Sequence, residues 1–435
     1  MAKTKGPMSG FRDLLATELI PRQRMIETIK KVYESYGFIP LDTPAIERFE
    51  TLTGKYGEEG EKLIYQFEDH GGRKVALRYD LTVPLARVVA QYKDELVLPY
   101  KRYQVGNVWR GESPQAGRYR EFLQFDADIV GAKSALSDSE IVMMMADAMQ
   151  ALGVGALISV NNRRILDALS EKLGLDSDAS KKLFLIIDKT SKLGKDKVLE
   201  EIKINFGDKV SELVLQFLSV GGSSEEKIDK IKEVLGSSAA LLEGTSNLEE
   251  VFSILKKSDY GENLVVFDPT IARGLDYYTG IIYETYLLDL PEIGSVCSGG
   301  RFDKLISLLS DGKVDLPAVG TSVGVDRLFS ALEKLGKVEK VKTNSKVLVV
   351  NFSGIDPSNY SILVKKFRAA GIPAEVYYDS SKLDKQFKYA DSLGIPWVVM
   401  LGEDEIKKGL IKVKNLETGD QKLVNPEDFI SSLKK

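Results

Sequence analysis

The sequence predicts an α+β chain: a first domain of paired strands and helices broken by a helical insertion, then a separate C-terminal α/β domain. Three observations carry this. Tyr100 to Gly131 reads as two alternating arms rich in β-formers around a polar loop. Asp176 to Asp259 keeps helical apolar spacing, is rich in lysine and holds no arginine. Beyond Lys346 the pattern becomes strand-helix alternation. The expected division is 1–172 for the first part of a core, 173–260 for the insertion, 261–336 for the second part, 337–345 for a polar linker and 346–435 for the tail domain.

With 435 residues, 43% hydrophobic and 29% charged, the chain can bury the cores of two or three domains. It has no run of 18 apolar residues, and Met1 to Lys5 is followed at once by Gly6 and Pro7 rather than by an apolar leader. Neither a membrane span nor secretion is expected, and a cytoplasmic location is. One cysteine, Cys297, excludes an internal disulfide and a cysteine-cluster metal site. The one histidine, His70, falls in Asp69-His70-Gly71-Gly72, a hairpin-turn signal. Chemistry is therefore expected from carboxylates, arginines, hydroxyls and bound ions. The net charge of −4 announces no global basic field. No arginine falls between Ile165 and Ala272, and only Arg368 lies beyond Arg327, so the arginines concentrate where planar anion recognition would be useful.

In order, Pro21 to Tyr36 is an amphipathic helix with Pro21 in its first turn, ended by Gly37, and Phe38 to Leu41 is a short strand before Pro44. Leu63 to Glu68 and Arg73 to Arg78 form the hairpin around His70. The second arm delivers Asp80 and Thr82 to the start of an apolar helix, Val83 to Tyr92, where either could be an N-terminal cap worth about 1 kcal/mol. Strands follow at Arg102 to Arg110 and Arg120 to Ile129. Alternation puts Gln124, Asp126 and Asp128 on one face and Phe125 and Ile129 on the other; a solvated polar face is the plainest reading. Ser137-Asp138-Ser139-Glu140 opens a helix to Leu152 whose methionines are core filler. Leu157 to Val160 is a strand and Arg163 to Lys172 a helix. The insertion breaks at Gly194, Gly207, Gly221-Gly222, Gly236 and Gly244. A strand at Leu264 to Asp268 leads to Ala272 to Gly280, whose paired tyrosines feed a strand from Ile281 to Leu287. Cys297 to Asp303 holds paired glycines that fit a β-turn. In Ala318 to Arg327, Gly320 and Gly324 bracket a strand-to-helix transition, with Arg327 at the start of an amphipathic helix.

Trp109-Arg110-Gly111-Glu112, a loop, and Gly117 to Phe122 resemble motif 2 of the class II aminoacyl-tRNA synthetases. In that class the arginine grips the ATP α-phosphate and the loop faces the tRNA acceptor end. The helix, strand and Pro44 near the start resemble motif 1, the dimer interface, and Ala318 to Arg327 resembles motif 3, whose arginine contacts the γ-phosphate. Leu77 to Pro84 is similar to the segment that binds the α-amino group in histidyl-tRNA synthetases. Ala272 to Gly280 and Cys297 to Asp303 resemble the histidine-specific motifs of that family, which generic class II enzymes lack. The chain thus resembles a histidyl-tRNA synthetase, of the eukaryotic and archaeal type judged by Asp80 and Asp128.

The resemblance implies a mixed, mainly antiparallel catalytic sheet with the class II synthetase fold, and an anticodon-binding tail domain of the kind shared by histidyl, prolyl, threonyl and glycyl enzymes. It implies a homodimeric ligase that activates L-histidine with ATP to histidyl-adenylate and transfers it to the 3′ end of its cognate tRNA. Arg110, Arg273 and Arg327 would be catalytic. Asp80, Thr82, Gln124, Asp128, Arg273, Tyr277 and Tyr278 would bind histidine, and Arg110, Glu112 and Arg327 would bind ATP. Mg²⁺ is expected through the ATP phosphates rather than on a side-chain cluster. Two alternatives stand beside this: a catalytically inactive regulatory subunit of ATP phosphoribosyltransferase, and another class II synthetase (prolyl, threonyl or glycyl).

Overall fold

The computed structural model describes residues 6–54, 56, 60–114, 117–273 and 277–434. Met1 to Lys5, Gln115 and Ala116 of the polar loop, and Gly274, Leu275 and Asp276 of the expected histidine motif lie outside the described residues. The chain forms two compact units, 1–12 with 25–337 and 13–24 with 338–435. Among the described residues no helix is long and apolar enough to cross a membrane.

The strands of the first unit are β1 (Ile39–Pro40), β2 (Ile46–Arg48), β3 (Gln66–Glu68), β4 (Lys74–Leu77), β5 (Tyr100–Trp109), β6 (Glu121–Val130), β7 (Ala156–Asn162), β8 (Val265–Phe267), β9 (Ile281–Leu287), β10 (Cys297–Arg301) and β11 (Ala318–Gly324). Eight of them make one mixed sheet in the order β1-β5-β6-β11-β10-β9-β7-β8. Only the edge pairs β1-β5 and β7-β8 are parallel. A small antiparallel sheet, β2-β4-β3, carries the hairpin that ends at His70, which is an exposed turn residue. The two expected arms of the Tyr100 to Gly131 stretch pair along their whole length in β5 and β6, with Arg102 opposite Asp128. Alternation explains the packing. Phe125 turns its ring onto Tyr33 of the helix Ala16–Ser35, 4.8 Å between centroids, while Gln124, Asp126 and Asp128 face the other way. That other face is not solvated surface: Asp126 and Asp128 are each only 2% exposed.

Four local expectations are corrected. The first helix starts at Ala16, so Pro21 sits inside it rather than in its first turn. The helix expected to open at Ser137 begins at Ala135, with Asp138 in its first turn buried against Arg301. Gly244 does not break the insertion. It lies within the helix Ala239–Lys257, where a Cβ would stand 3.0 Å from Cγ1 of Ile165, so its bareness lets that helix press onto Arg163–Leu173. Gly299 and Gly300 form no turn but stand inside β10.

The insertion runs through the helices Ser177–Ile187, Thr190–Leu193, Lys195–Phe206, Asp208–Leu218, Ser224–Leu235 and Ala239–Lys257. The second unit has a five-stranded sheet of β12 (Val347–Val349), β13 (Ala374–Val376), β14 (Trp397–Met400), β15 (Ile411–Asn415) and β16 (Gln421–Val424), in the order β13-β12-β14-β15-β16. β12 is parallel to β13 and β14, as strand-helix alternation requires, and the last two strands are the expected hairpin. The helix Pro357–Ala369 starts on Asp356, whose carboxylate accepts the Ser358 amide at 2.9 Å, with Pro357 in the first turn. The short helix Glu403–Lys408 falls outside the elements the sequence predicts.

Candidate active site

A cavity of about 510 Å³ opens over the polar face of β6, β11 and β10. Its lining includes Asp80, Thr82, Arg110, Glu112, Gln124, Asp128, Arg273, Tyr277, Tyr278 and Arg327, so the structure brings every site residue expected from the sequence into one place.

The floor depends on missing side chains. A Cβ on Gly299 would fall 2.1 Å from the Gly320 carbonyl oxygen, one on Gly300 2.5 Å from that of Ile281, and one on Gly320 1.8 Å from Oδ1 of Asp128. At Gly299 and Gly300 the obstacle is backbone, so no other residue fits there without the sheet shifting; at Gly320 it is first the Asp128 side chain and then the Ala127 carbonyl oxygen at 2.8 Å.

Three arginines reach the cavity from different elements. Arg110 follows β5; its Nε donates to the Tyr79 carbonyl at 3.2 Å, and its guanidinium carbon lies 4.3 Å from the Tyr79 ring centre and 5.2 Å from that of Phe122. Such stacking fixes the guanidinium plane and leaves its edge to donate. Arg327, in the helix Val325–Lys334, donates from Nη1 to the Ser295 carbonyl at 2.7 Å. Burial lowers its pKa, and the charge of Arg118 lowers it further. Arg273 pairs with Glu284 at 2.5 Å, and its buried Nε has no hydrogen-bond partner among the described residues. Glu112 pairs with Arg118 at 3.3 Å. Arg110 and Arg327 donate to backbone carbonyls rather than to carboxylates, so their charges are available to an anionic ligand.

Buried carboxylates line the same cavity. Asp80 accepts the Val83 amide at 3.0 Å and the Tyr56 hydroxyl at 3.1 Å, so it braces the first turn of the helix Thr82–Tyr92 while lining the cavity. Its pKa is raised by burial. Gln124 donates from Nε2 to Ser322 Oγ at 2.9 Å, and its Oε1 is unpartnered among the described residues. Asp128 lies 2.7 Å from Nη2 of Arg102, a fully buried guanidinium whose aligned hydrogen bond goes instead to the Leu81 carbonyl at 3.1 Å. The Arg102 and Asp128 contact is therefore an ion pair without hydrogen-bond alignment, and the carboxylate retains acceptor capacity. Burial pushes Asp128 up to about 6 against the pull of Arg102, and Asp126, with Oδ1 likewise unpartnered, up to about 7. The rings of Tyr277 and Tyr278 pack 4.9 Å apart, and Tyr277 meets Phe302 at 6.0 Å.

Asp126, Arg102 and Tyr56 fall outside the site residues expected from the sequence. Alternation already puts Asp126 on the same face as Asp128, a signal sufficient to assign it. Arg102 is reached only through strand register, and Tyr56 only through tertiary packing. Among the described residues no group of three His, Cys, Asp or Glu side chains gathers to hold a metal ion.

This sheet, with arginines converging on one cavity and a second α/β unit in the same chain, is the fold of a class II aminoacyl-tRNA synthetase. A model of histidyl-tRNA synthetase matches residues 10–328, and a model of the anticodon binding domain matches 346–435. The chain belongs to the histidyl-tRNA synthetase family. It is 42% identical over 414 residues to a histidine–tRNA ligase of Rhodopirellula baltica, spanning 94% of this chain and 93% of that one. It is 41% identical over 424 residues to one of Wolinella succinogenes, spanning 96% and 95%. The solved histidyl-tRNA synthetase of Nostoc sp. PCC 7120 superposes with a TM-score of 0.87 at 32% identity, covering 99% of each chain. These relatives are bacterial and give no support to the eukaryotic and archaeal type expected from Asp80 and Asp128. A pocket for an ammonium group and an imidazole calls for carboxylates on chemical grounds alone, which makes two aspartates a weak marker of lineage.

Proposed function

We propose that this chain activates L-histidine with ATP and passes the histidyl group to the 3′ end of its cognate tRNA. The observation that carries the reading is one cavity lined by arginines and by buried carboxylates together. In the first step the histidine carboxylate attacks the α-phosphorus. A phosphorus–oxygen bond forms, the bond to the β-phosphate breaks, and pyrophosphate leaves with its electron pair. In the second, the terminal ribose hydroxyl of the tRNA attacks the carbonyl carbon of the mixed anhydride: an ester bond forms, the bond from that carbon to the phosphate oxygen breaks, and AMP leaves with the electron pair while the hydroxyl proton passes to a phosphate oxygen of the adenylate.

Repulsion between anions is the obstacle in the first step. Arg110 on the α-phosphate, Arg327 on the γ-phosphate and Arg273 between the α-phosphate and the substrate carboxylate offset it, each already held by its own neighbours. Glu112 belongs to the ATP end. A divalent cation such as Mg²⁺, carried in on the phosphate oxygens, supplies further neutralisation when bound. Asp80, Thr82 and Gln124 take the ammonium group. Asp128 accepts from one imidazole nitrogen and Tyr278 donates to the other, with Tyr277 beside them.

The same reading divides the chain into a catalytic core (1–172 and 261–336), an insertion (173–260) over the tRNA acceptor stem, a linker (337–345) and an anticodon-binding tail (346–435). It makes the enzyme a cytoplasmic homodimer through the segment resembling motif 1, where Ile39 is about half exposed. A regulatory subunit of ATP phosphoribosyltransferase is not favoured. A solved protein of Bacillus halodurans, described as that subunit or a histidyl-tRNA synthetase, is only 20% identical and shares the fold, whereas ligases near 40% identity span almost the whole chain. Charging of unfractionated tRNA with labelled histidine tests the proposal. Acid-precipitable label that depends on ATP is expected, and its absence with a folded enzyme contradicts the reading.

A further inference from the structure

Asp188 closes the helix Ser177–Ile187, the first of the insertion, and its Oδ1 accepts the backbone amide of Arg273 at 3.0 Å. Both partners stand where local preference disfavours them. A carboxylate at the C-terminal end of a helix meets the negative end of the helix dipole. Arg273, which is not a glycine, holds a left-handed backbone with φ of 54°. The hydrogen bond ties these two unfavourable choices together across 85 residues of sequence. One turn earlier on the same helix, Leu185 lines the cavity. From the other side the Arg273 guanidinium is gripped by Glu284, which the Tyr286 hydroxyl also holds. The backbone of Arg273 is therefore set by the insertion and its side chain by the sheet.

We propose that Asp188 is a positioning residue for activation: it holds the Arg273 backbone so that the guanidinium presents to the reacting phosphate, and it makes the insertion part of the machinery of the first step. This rests on the role given to Arg273 above. Strand Ile281–Leu287 supplies Glu284 whether or not the insertion is in place, but among the described residues only Asp188 holds the Arg273 amide.

The test measures histidine-dependent ATP–pyrophosphate exchange and melting temperature for wild type, Asp188→Ala, Asp188→Asn, Arg273→Ala and the double variant Asp188→Ala/Arg273→Ala. Asp188→Ala should lower kcat by about ten- to a hundredfold, as misplacement of a charge-stabilising group does, with KM for histidine and ATP changing far less. Asp188→Asn keeps an acceptor oxygen and should recover most of the rate. The double variant should be no slower than Arg273→Ala, because the effect of Asp188 passes through Arg273. A wild-type kcat in Asp188→Ala beside a collapsed Arg273→Ala overturns this inference alone. So does an Asp188→Asn enzyme that is folded by its melting curve yet lacks the wild-type rate, or a full Asp188 effect in the Arg273→Ala background. A wild-type rate in Arg273→Ala overturns the role of Arg273 and this inference with it.

Discussion

Gly320 and Asp128 stand opposite each other across β11 and β6, and the Asp128 carboxylate occupies the space a side chain on residue 320 would need. Gly320→Ala must push Asp128 aside or bend the strand. Overpacking of this kind costs about 1–3 kcal/mol, so kcat/KM for histidine should fall about ten- to a hundredfold while KM for ATP stays near its wild-type value. Exchange kinetics over a histidine titration at saturating ATP measure this. Unchanged histidine kinetics would show that the Asp128 position does not matter to the pocket.

Asp128→Asn should reduce kcat/KM for histidine and leave KM for ATP nearly unchanged, because the change weakens the acceptor proposed for an imidazole N–H and touches none of the residues proposed for the phosphates. It also leaves Arg102 without its ion-pair partner, and uncompensated buried charges are costly, so the melting temperature should fall as well. Analogues of histidine lacking the ring nitrogens should be rejected by wild type by a factor on the order of ten-thousandfold. An Asp128→Asn enzyme with wild-type histidine kinetics would remove this residue from recognition.

The burial of Asp126 predicts a pH dependence of stability. Its folded pKa, about 7, lies above the ordinary value of 3.8, first because of burial and then because the repulsion of Asp128 adds to it against the attraction of Arg102. A raised carboxyl pKa means the folded state holds the proton more tightly than the unfolded chain. The associated stability is complete below about pH 3.8 and is lost as pH rises through about 7. Asp126→Asn removes this titration. The melting temperature of the variant minus that of the ligand-free wild type should therefore climb between about pH 4 and about pH 8. A difference that is flat or falls over that window contradicts the assignment.

Truncation after Lys340 should leave histidine-dependent pyrophosphate exchange largely intact and sharply reduce charging of tRNA, since the cavity lining lies wholly between Tyr56 and Arg327. The exposed Arg24 and Glu339 pair, 2.7 Å apart, involves a residue just before the cut and is worth little. Equal loss of both activities in a truncated protein that still melts cooperatively would oppose the division of labour.

Periodicity reveals what is local. The two-residue alternation in Glu121–Val130 is enough to place Gln124, Asp126 and Asp128 on a common face, and the resemblance of Ala272 to Gly280 locates Arg273 and its tyrosines. What alternation cannot show is what lies over a face. The same polar pattern fits solvated surface until the neighbouring strand sets Arg102 beside Asp128 through register, and Tyr56 joins the cavity that covers the face. Glycine misleads for a related reason. Gly244 and the pair Gly299 and Gly300 carry the local signature of breaks or turns, but here each answers to a close neighbour from a distant segment. Pro21 misleads in the opposite direction, because tolerance of a proline inside Ala16–Ser35 is set by the rest of the helix.

The central claim is that the cavity is built around histidine and ATP together. ATP–pyrophosphate exchange with each of the twenty amino acids in turn tests it most directly. Histidine alone should support exchange, because the roles proposed for Asp128 and Tyr278 require an N–H donor and an acceptor nitrogen on opposite sides of one ring, a pattern that imidazole alone provides among the side chains. Exchange with proline, threonine or glycine in place of histidine, or no exchange with any amino acid, would contradict it.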